Sequence, residues 1–236
     1  MAENSARDIP AVLPAHIIEV GTGQLERPAR NSVGGWPFLD AADDWPECFC
    51  GERMALFFQL DIPVDIQRFG GDHLMVFHCR SHNDASDAEL ADGRLVPRYW
   101  DAPQPPYPRP FWRVLLRRNV TVPSPEAEPS VRALPLTLSA LVDTPNARGL
   151  GAQAFKVGGT PSWAQDPESY ACACGSELVY LCQVPESMEF AVHPGLPEQP
   201  YSVGADTYNL FLANEVYLLA CPDHCDPAAV WPVNQN

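Results

Sequence analysis

Lysine is nearly missing. Lys156 is the only one among 236 residues, and 15 basic side chains face 30 acidic ones, for a net charge of −15. Nucleic-acid affinity comes mainly from clustered Lys and Arg on phosphates. The only dense basic patch is Arg113, Arg117 and Arg118, so nucleic acid and anionic membranes are poor partners and a basic protein is the better one. Long apolar runs are missing too, and none approaches the roughly 18 residues of a membrane span. The opening stretch MAENSARDIPAVLPAHIIEV has acidic residues and early prolines but no basic region before an apolar core. It does not read as a secretory leader, which predicts a cytosolic chain.

Catalytic patterns are also lacking. There is no Gly-x-Ser-x-Gly elbow, no phosphate-binding P-loop, no dinucleotide fingerprint and no His-Glu-x-x-His. No spacing of the many carboxylates singles out an acid/base pair.

Proline, by contrast, is abundant, at 26 residues. Proline removes a backbone donor and clashes inside a helix, so long helices are excluded. Short runs of Val, Ile, Tyr, Phe and Trp between prolines and glycines predict a mainly β fold, with an α+β arrangement as the alternative.

The chain repeats itself. Gly34-Gly35-Trp36-Pro37 recurs as Gly158-Gly159-Thr160-Pro161, an offset of 158 − 34 = 124. The same offset relates Cys48 to Cys172, Cys50 to Cys174, Gly51 to Gly175 and Gln59 to Gln183. Each half then closes with Cys-x-x-His-x-Asp after an apolar strand: Cys79, His82 and Asp84, then Cys221, His224 and Asp226. That offset is 221 − 79 = 142, so the second half carries 142 − 124 = 18 extra residues, placed in a long loop over 185–209. The sequence thus predicts a duplication, with a first repeat over 1–122 and a second over 123–236, packed as one pseudo-twofold unit.

The boundary segment NVTVPSPEAEPS (119–130) is polar and proline-rich, which predicts an exposed, extended connection. PQPPYPRP (103–110) is flanked by Tyr99, Trp100, Phe111 and Trp112, which predicts an ordered, packed loop. ALPLTLSALVDT (133–144) reads equally as strand or short helix.

Eight cysteines in a reducing compartment point to metal ligands or buried apolar side chains. If the strand after each Cys-x-Cys-Gly lies beside the strand before each Cys-x-x-His, two ligand sets form. They are Cys48, Cys50, Cys79 and His82, and Cys172, Cys174, Cys221 and His224, with Cys225 as the alternative fourth ligand of the second. Three thiolates and an imidazole, or four thiolates, close the tetrahedral shell of zinc and leave no place for an activated water. Two structural zinc ions are therefore expected.

The glycine after each pair suits a tight turn. Cys182 aligns with Phe58 and reads as core. His78 points to the face opposite Cys79, and His16, His73 and His193 read as structural or surface residues. Gln59 and Gln183 read as paired hydrogen-bonders inside apolar strands. Asp84 and Asp226 read either as acceptors orienting the histidines or as turn residues.

The sequence CGERMALFFQLD or CGSELVYLCQV, following a Gly-Gly-x-Pro turn and followed by a closing VFHC or VYLLAC strand, resembles the YwqG-like family of bacterial proteins. The resemblance covers most of the chain in two copies. It implies a single-chain, β-rich duplication with no established enzymatic activity. Many family members lack these cysteines, so the zinc expectation rests on the residues themselves. CFCGERMALFFQLDIP and CACGSELVYLCQVP are more distantly similar to the programmed-cell-death-protein-two family, which includes eukaryotic chaperones dedicated to one ribosomal protein. Cys-x-Cys here departs from that family's Cys-x-x-Cys. These likenesses imply a non-enzymatic protein-binding module of the toxin-immunity or dedicated-chaperone type. The competing reading is a metal-dependent hydrolase, which needs an open metal position.

Overall fold

A computed structural model describes residues 13–39, 44–202 and 204–236. It is a β protein: the described residues contain no α-helix, only a three-residue 3-10 turn at Phe211–Ala213. The first half contributes β1 (Leu13–Val20), β2 (Ser32–Val33), β3 (Ala55–Asp61), β4 (His73–His78), β5 (Leu90–Ala91), β6 (Arg94–Leu95) and β7 (Trp112–Arg117). The second contributes β8 (Leu134–Asp143), β9 (Lys156–Gly158), β10 (Val179–Val184), β11 (Phe190–Ala191), β12 (Thr207–Tyr208), β13 (Glu215–Ala220) and β14 (Val230–Gln235). The ambiguous segment 133–144 is thus strand β8.

Ten strands form one antiparallel sheet in the order β14-β13-β10-β9-β1-β8-β2-β3-β4-β7. The order exposes the duplication. Each half runs turn strand, long strand, return strand, edge strand: β2-β3-β4-β7, then β9-β10-β13-β14. The first strands are exchanged. β1 pairs with β9 of the second half, and β8 pairs with β2 of the first. β1 and β8 meet in the middle over eight residue pairs, with Glu19 opposite Thr137. Matching bonds flank this pair: Ile18 N–H donates to Phe155 O, and Leu136 N–H to Asn31 O. A pseudo-twofold axis therefore passes between the two strands.

The repeat extends to irregularities that carry no sequence signal. Phe57 in β3 and Leu181 in β10 are each skipped by the pairing register, so both long strands carry a bulge at the same place. The sheet curls until its two ends meet. Trp112 of β7 and Trp231 of β14 pack edge to face at 5.7 Å, and Leu116 N–H donates to Pro227 O. One continuous core results, drawing Leu56, Phe58, Leu74 and Phe77 from one half and Leu181, Val216, Tyr217 and Trp231 from the other.

The connections also cross over. In the 62–72 loop, Ile66 covers Gly158 of the second half so closely that a Cβ there would lie 2.4 Å from its Cδ1. The longer loop after β10 is no plain loop. It forms the β11–β12 ribbon and sets Phe190 against Phe57 and Phe58 of the first half.

The boundary segment is the expected extended connection but is exposed only in part: Asn119, Thr121, Val122, Pro125, Glu126 and Pro129 face solvent. Ser124 N–H and Glu128 N–H bond back to Pro37 O and Gly35 O, and Val120, Glu128 and Ser130 are buried. Glu128 accepts the backbone N–H groups of Ser130 and Val131. Burial raises its pKa to about 7, against the pull of those donors.

The proline-dense loop 103–110 packs as expected, with Gln104 buried and Tyr107 stacked on Phe49. The only lysine is also internal. Lys156 and Asp143 are both buried and pair at 2.7 Å, with Thr160 O and the N–H groups of Thr160 and Ala152 completing their shells.

Candidate metal centres

The two Cys-x-Cys-Gly stretches fold identically. Gly51 N–H donates to Cys48 O and Cys48 N–H to Glu52 O. In the second half Gly175 N–H donates to Cys172 O and Cys172 N–H to Ser176 O. Both glycines hold a left-handed backbone, φ 83° at Gly51 and 104° at Gly175, which a Cβ would strain. One further pair closes each turn onto its strand: Met54 N–H to Pro46 O, and Leu178 N–H to Tyr170 O. The first cysteine of each pair is buried and the second is exposed.

The returning strands deliver the remaining donors. β4 runs into Cys79 and β13 into Cys221, both buried, each held by a backbone bond to the opposite strand end (Phe111 O and Ala229 O). In the first cluster Cys48, Cys50, Cys79 and His82 present their ligand atoms within 4.8 Å of one another. Cys50 and Cys79 Sγ are 3.9 Å apart, and His82 Nδ1 lies 3.7 Å from Cys48 Sγ and 3.5 Å from Cys79 Sγ. A zinc tetrahedron with bonds of about 2.3 Å to sulfur and 2.0–2.1 Å to nitrogen has S–S edges near ~3.8 Å and S–N edges near ~3.6 Å. The donors stand at those edges.

The second cluster differs from the pattern that recurs in sequence. It gathers Cys172, Cys174, Cys221 and Cys225, again within 4.8 Å, with Cys172–Cys225 at 3.5 Å and Cys174–Cys221 at 3.6 Å. The alternative fourth ligand takes the place, and His224 stands outside. The turn after Cys221 puts His224 at φ 48°. Its ring packs on Phe69 of the first half, and Nε2 lies 2.6 Å from the buried carboxylate of Asp72, which Arg118 also contacts. His224 is therefore a tie between halves.

Each cluster has the donor set and spacing of a closed structural zinc site. The first offers three thiolates and an imidazole, the second four thiolates, so the chain is a zinc-binding module with two ions. Four protein donors at each place leave no coordination position for an activated water.

The surroundings orient the ligands. His82 is clamped between the Phe49 ring at 4.4 Å and the edge of Tyr107 at 5.7 Å. Asp84 accepts from Tyr107 OH at 3.1 Å, so it reaches His82 only through that ring. Asp226 accepts Ala228 N–H and is a turn residue. Glu52 holds Arg80 and Ser81, bracing the Cys79–His82 turn.

The strand glutamines are matched as expected. Gln59 Oε1 accepts from Phe38 N–H and Gln183 Oε1 from Ser162 N–H, each fixing the segment after its Gly-Gly-x-Pro turn. His73 touches Gln59, and Glu215, at the corresponding position, accepts from Gln183. Burial would raise the pKa of Asp61, but hydrogen bonds from His73 and Arg30 outweigh it and bring the value down to about 2.

His78 is fully buried among Phe57, Phe111 and Phe211, with Nδ1 on Cys79 O. His16 reaches Asp65 at 2.9 Å. Cys182 is core, its thiol pushed up to about 12 by burial.

Among the described residues no helix is long and apolar enough to cross a membrane. No protein-family model matches the chain, and no curated protein matches it.

Proposed function

We propose that this zinc-binding module is a non-enzymatic, cytoplasmic protein-binding scaffold whose partner is a basic protein. The observation that carries the reading is the pair of clusters with four protein donors each, set in a chain of net charge −15. Closed zinc shells stabilise folds rather than activate water. An acidic surface speeds encounter with a basic partner and makes that encounter sensitive to salt. The YwqG-like resemblance and the more distant likeness to ribosomal-protein chaperones support the same role. They suggest either a toxin, for which this chain is the immunity protein, or a nascent basic protein under escort.

The test is affinity capture of the tagged chain from its own cells at low and high salt, read by mass spectrometry. One basic protein enriched at low salt and depleted at high salt supports the scaffold. A partner retained equally at both salts removes the electrostatic argument. Metal spectroscopy showing three protein ligands plus water at either centre would instead favour a metal-dependent hydrolase.

A further inference from the structure

The two centres meet solvent differently. Each keeps two thiols buried, Cys48 and Cys79 in the first and Cys172 and Cys221 in the second. The first shows one exposed thiol, Cys50, and closes with the half-buried His82. Rings shield it, since Phe49 lies 4.4 Å from His82 and stacks on Tyr107. The second shows two exposed thiols, Cys174 and Cys225. At the offset of 124 Phe49 becomes Ala173, so that ring has no counterpart in the second turn.

Sulfur pairing inside the second centre matches that exposure. Each exposed thiol has a buried one beside it from the other segment: Cys225 is 3.5 Å from Cys172, and Cys174 is 3.6 Å from Cys221. All four donors are sulfur, so both pairs can become disulfides and leave nothing to hold the ion. In the first centre the exposed Cys50 has Cys79 beside it at 3.9 Å. Three thiols there make one disulfide at most, and His82 makes none.

The structure assigns a redox switch to the second centre: a peroxide oxidises its exposed thiolates, the buried neighbours close the disulfides Cys172–Cys225 and Cys174–Cys221, and zinc leaves. Oxidation of cysteine follows thiolate character and exposure. Hydrogen peroxide accepts the electron pair of the Cys225 sulfur: an S–O bond forms, the O–O bond breaks and hydroxide leaves. The Cys172 thiolate then attacks that sulfur, an S–S bond forms, and the S–O bond breaks with loss of a second hydroxide. Two thiolates and one peroxide thus give one disulfide and two hydroxides, and Cys174 with Cys221 repeats the step. Four thiolates also leave more negative charge on a zinc site than three thiolates and an imidazole, so the second set is the more electron-rich. The 221–225 turn carries His224, the tie to Asp72 of the first half, so the switch acts on the contact between halves. It needs the zinc centres and is independent of the scaffold reading.

The test is graded hydrogen peroxide added to the zinc-loaded protein, with a chromogenic chelator reading free zinc and peptide mapping reading each cysteine after alkylation. The first ion released should accompany disulfides at Cys172–Cys225 and Cys174–Cys221, and should leave at least about threefold faster than the second. The buried Cys182 should stay reduced. Dithiothreitol with added zinc should restore two ions per chain. Cys225→His, which gives the second centre the donor types of the first, should bring the two rates within about twofold. No release, release of both ions at one rate, disulfide appearing first at Cys50–Cys79, sulfinic acid without disulfide, or oxidation of Cys182 in step with zinc loss overturns the switch.

Discussion

The two metal centres share one turn and differ in one ligand. Residues 48–52 and 172–176 have the same hydrogen bonds, the same left-handed glycine and the same buried-then-exposed cysteine pair. The first takes its fourth donor three residues after Cys79, from His82. The second takes it four residues after Cys221, from Cys225. That single step frees His224 to leave the metal and bind Asp72 across the pseudo-twofold axis. The turn geometry is the invariant part of the site, while the closing ligand is open to exchange whenever a neighbouring residue can reach.

The sharpest way to break this comparison is to delete one buried thiolate from each centre. Cys79→Ala and Cys221→Ala should each lower zinc content from two ions per chain to one. A structural zinc site contributes on the order of 10 kcal/mol, comparable to the whole stability of a domain, about 5–15 kcal/mol. Either variant is therefore expected to lose cooperative unfolding, measured by calorimetry alongside metal analysis. Loss of both ions from one substitution would show that the centres are coupled through the shared sheet.

Next in size are features present in only one half. Lys156→Met strands Asp143 as an unpaired buried charge and should cost about 3–5 kcal/mol, read from urea unfolding. Adding Asp143→Asn should recover part of that loss. Phe190→Ala removes the ring that the longer loop lays on Phe57 and Phe58, and the cost should fall in the same range, about 3–5 kcal/mol.

The histidines give the direct contrast. His82→Ala should lose one zinc ion. His224→Ala should keep both and cost only about 1–3 kcal/mol for leaving Asp72 with one partner fewer. Cobalt substitution should then report seven thiolate ligands in both the parent and the His224 variant.

The smallest effects are electrostatic. Asp61 stands where the second half has Pro185. Its pKa falls from the ordinary value of about 3.9 to about 2 in the fold. Its stabilisation is thus present above pH ~4 and lost as pH drops towards 2. Glu128 has the opposite sign. Its pKa rises from about 4.3 to about 7, so the folded state holds the proton more tightly. Stability should decline as pH climbs between those values and level off above. Asp61→Asn should flatten the acid limb of a stability–pH curve, and Glu128→Gln the neutral limb.

Much of this was legible in the sequence because it lies within one strand and its turn. The offset of 124 carries the Gly-Gly-x-Pro turn, the cysteine pair and the glutamine as a rigid block, and the structure repeats their bonds with the same offset. What depends on a distant partner was not legible. β1 and β8 share little sequence, and periodicity cannot say which half a strand joins, so the exchange was invisible. The recurrence of Cys-x-x-His pointed to His224, but a side chain's direction follows from backbone φ, and the positive φ there turns the ring away. The polar composition of 119–130 suggested solvent exposure, yet Glu128 is internal because three backbone contacts from two N–H groups satisfy its oxygens.

The exchange of β1 and β8 bears on how the chain is put together. Two separate copies of such a repeat would have to trade first strands to complete their sheets, which is the arrangement of a domain-swapped dimer. Here the 119–133 connection makes that trade intramolecular. It sets the effective concentration of the partner strand by tether length rather than by protein concentration, so dilution, which dissociates a swapped pair, leaves this one intact.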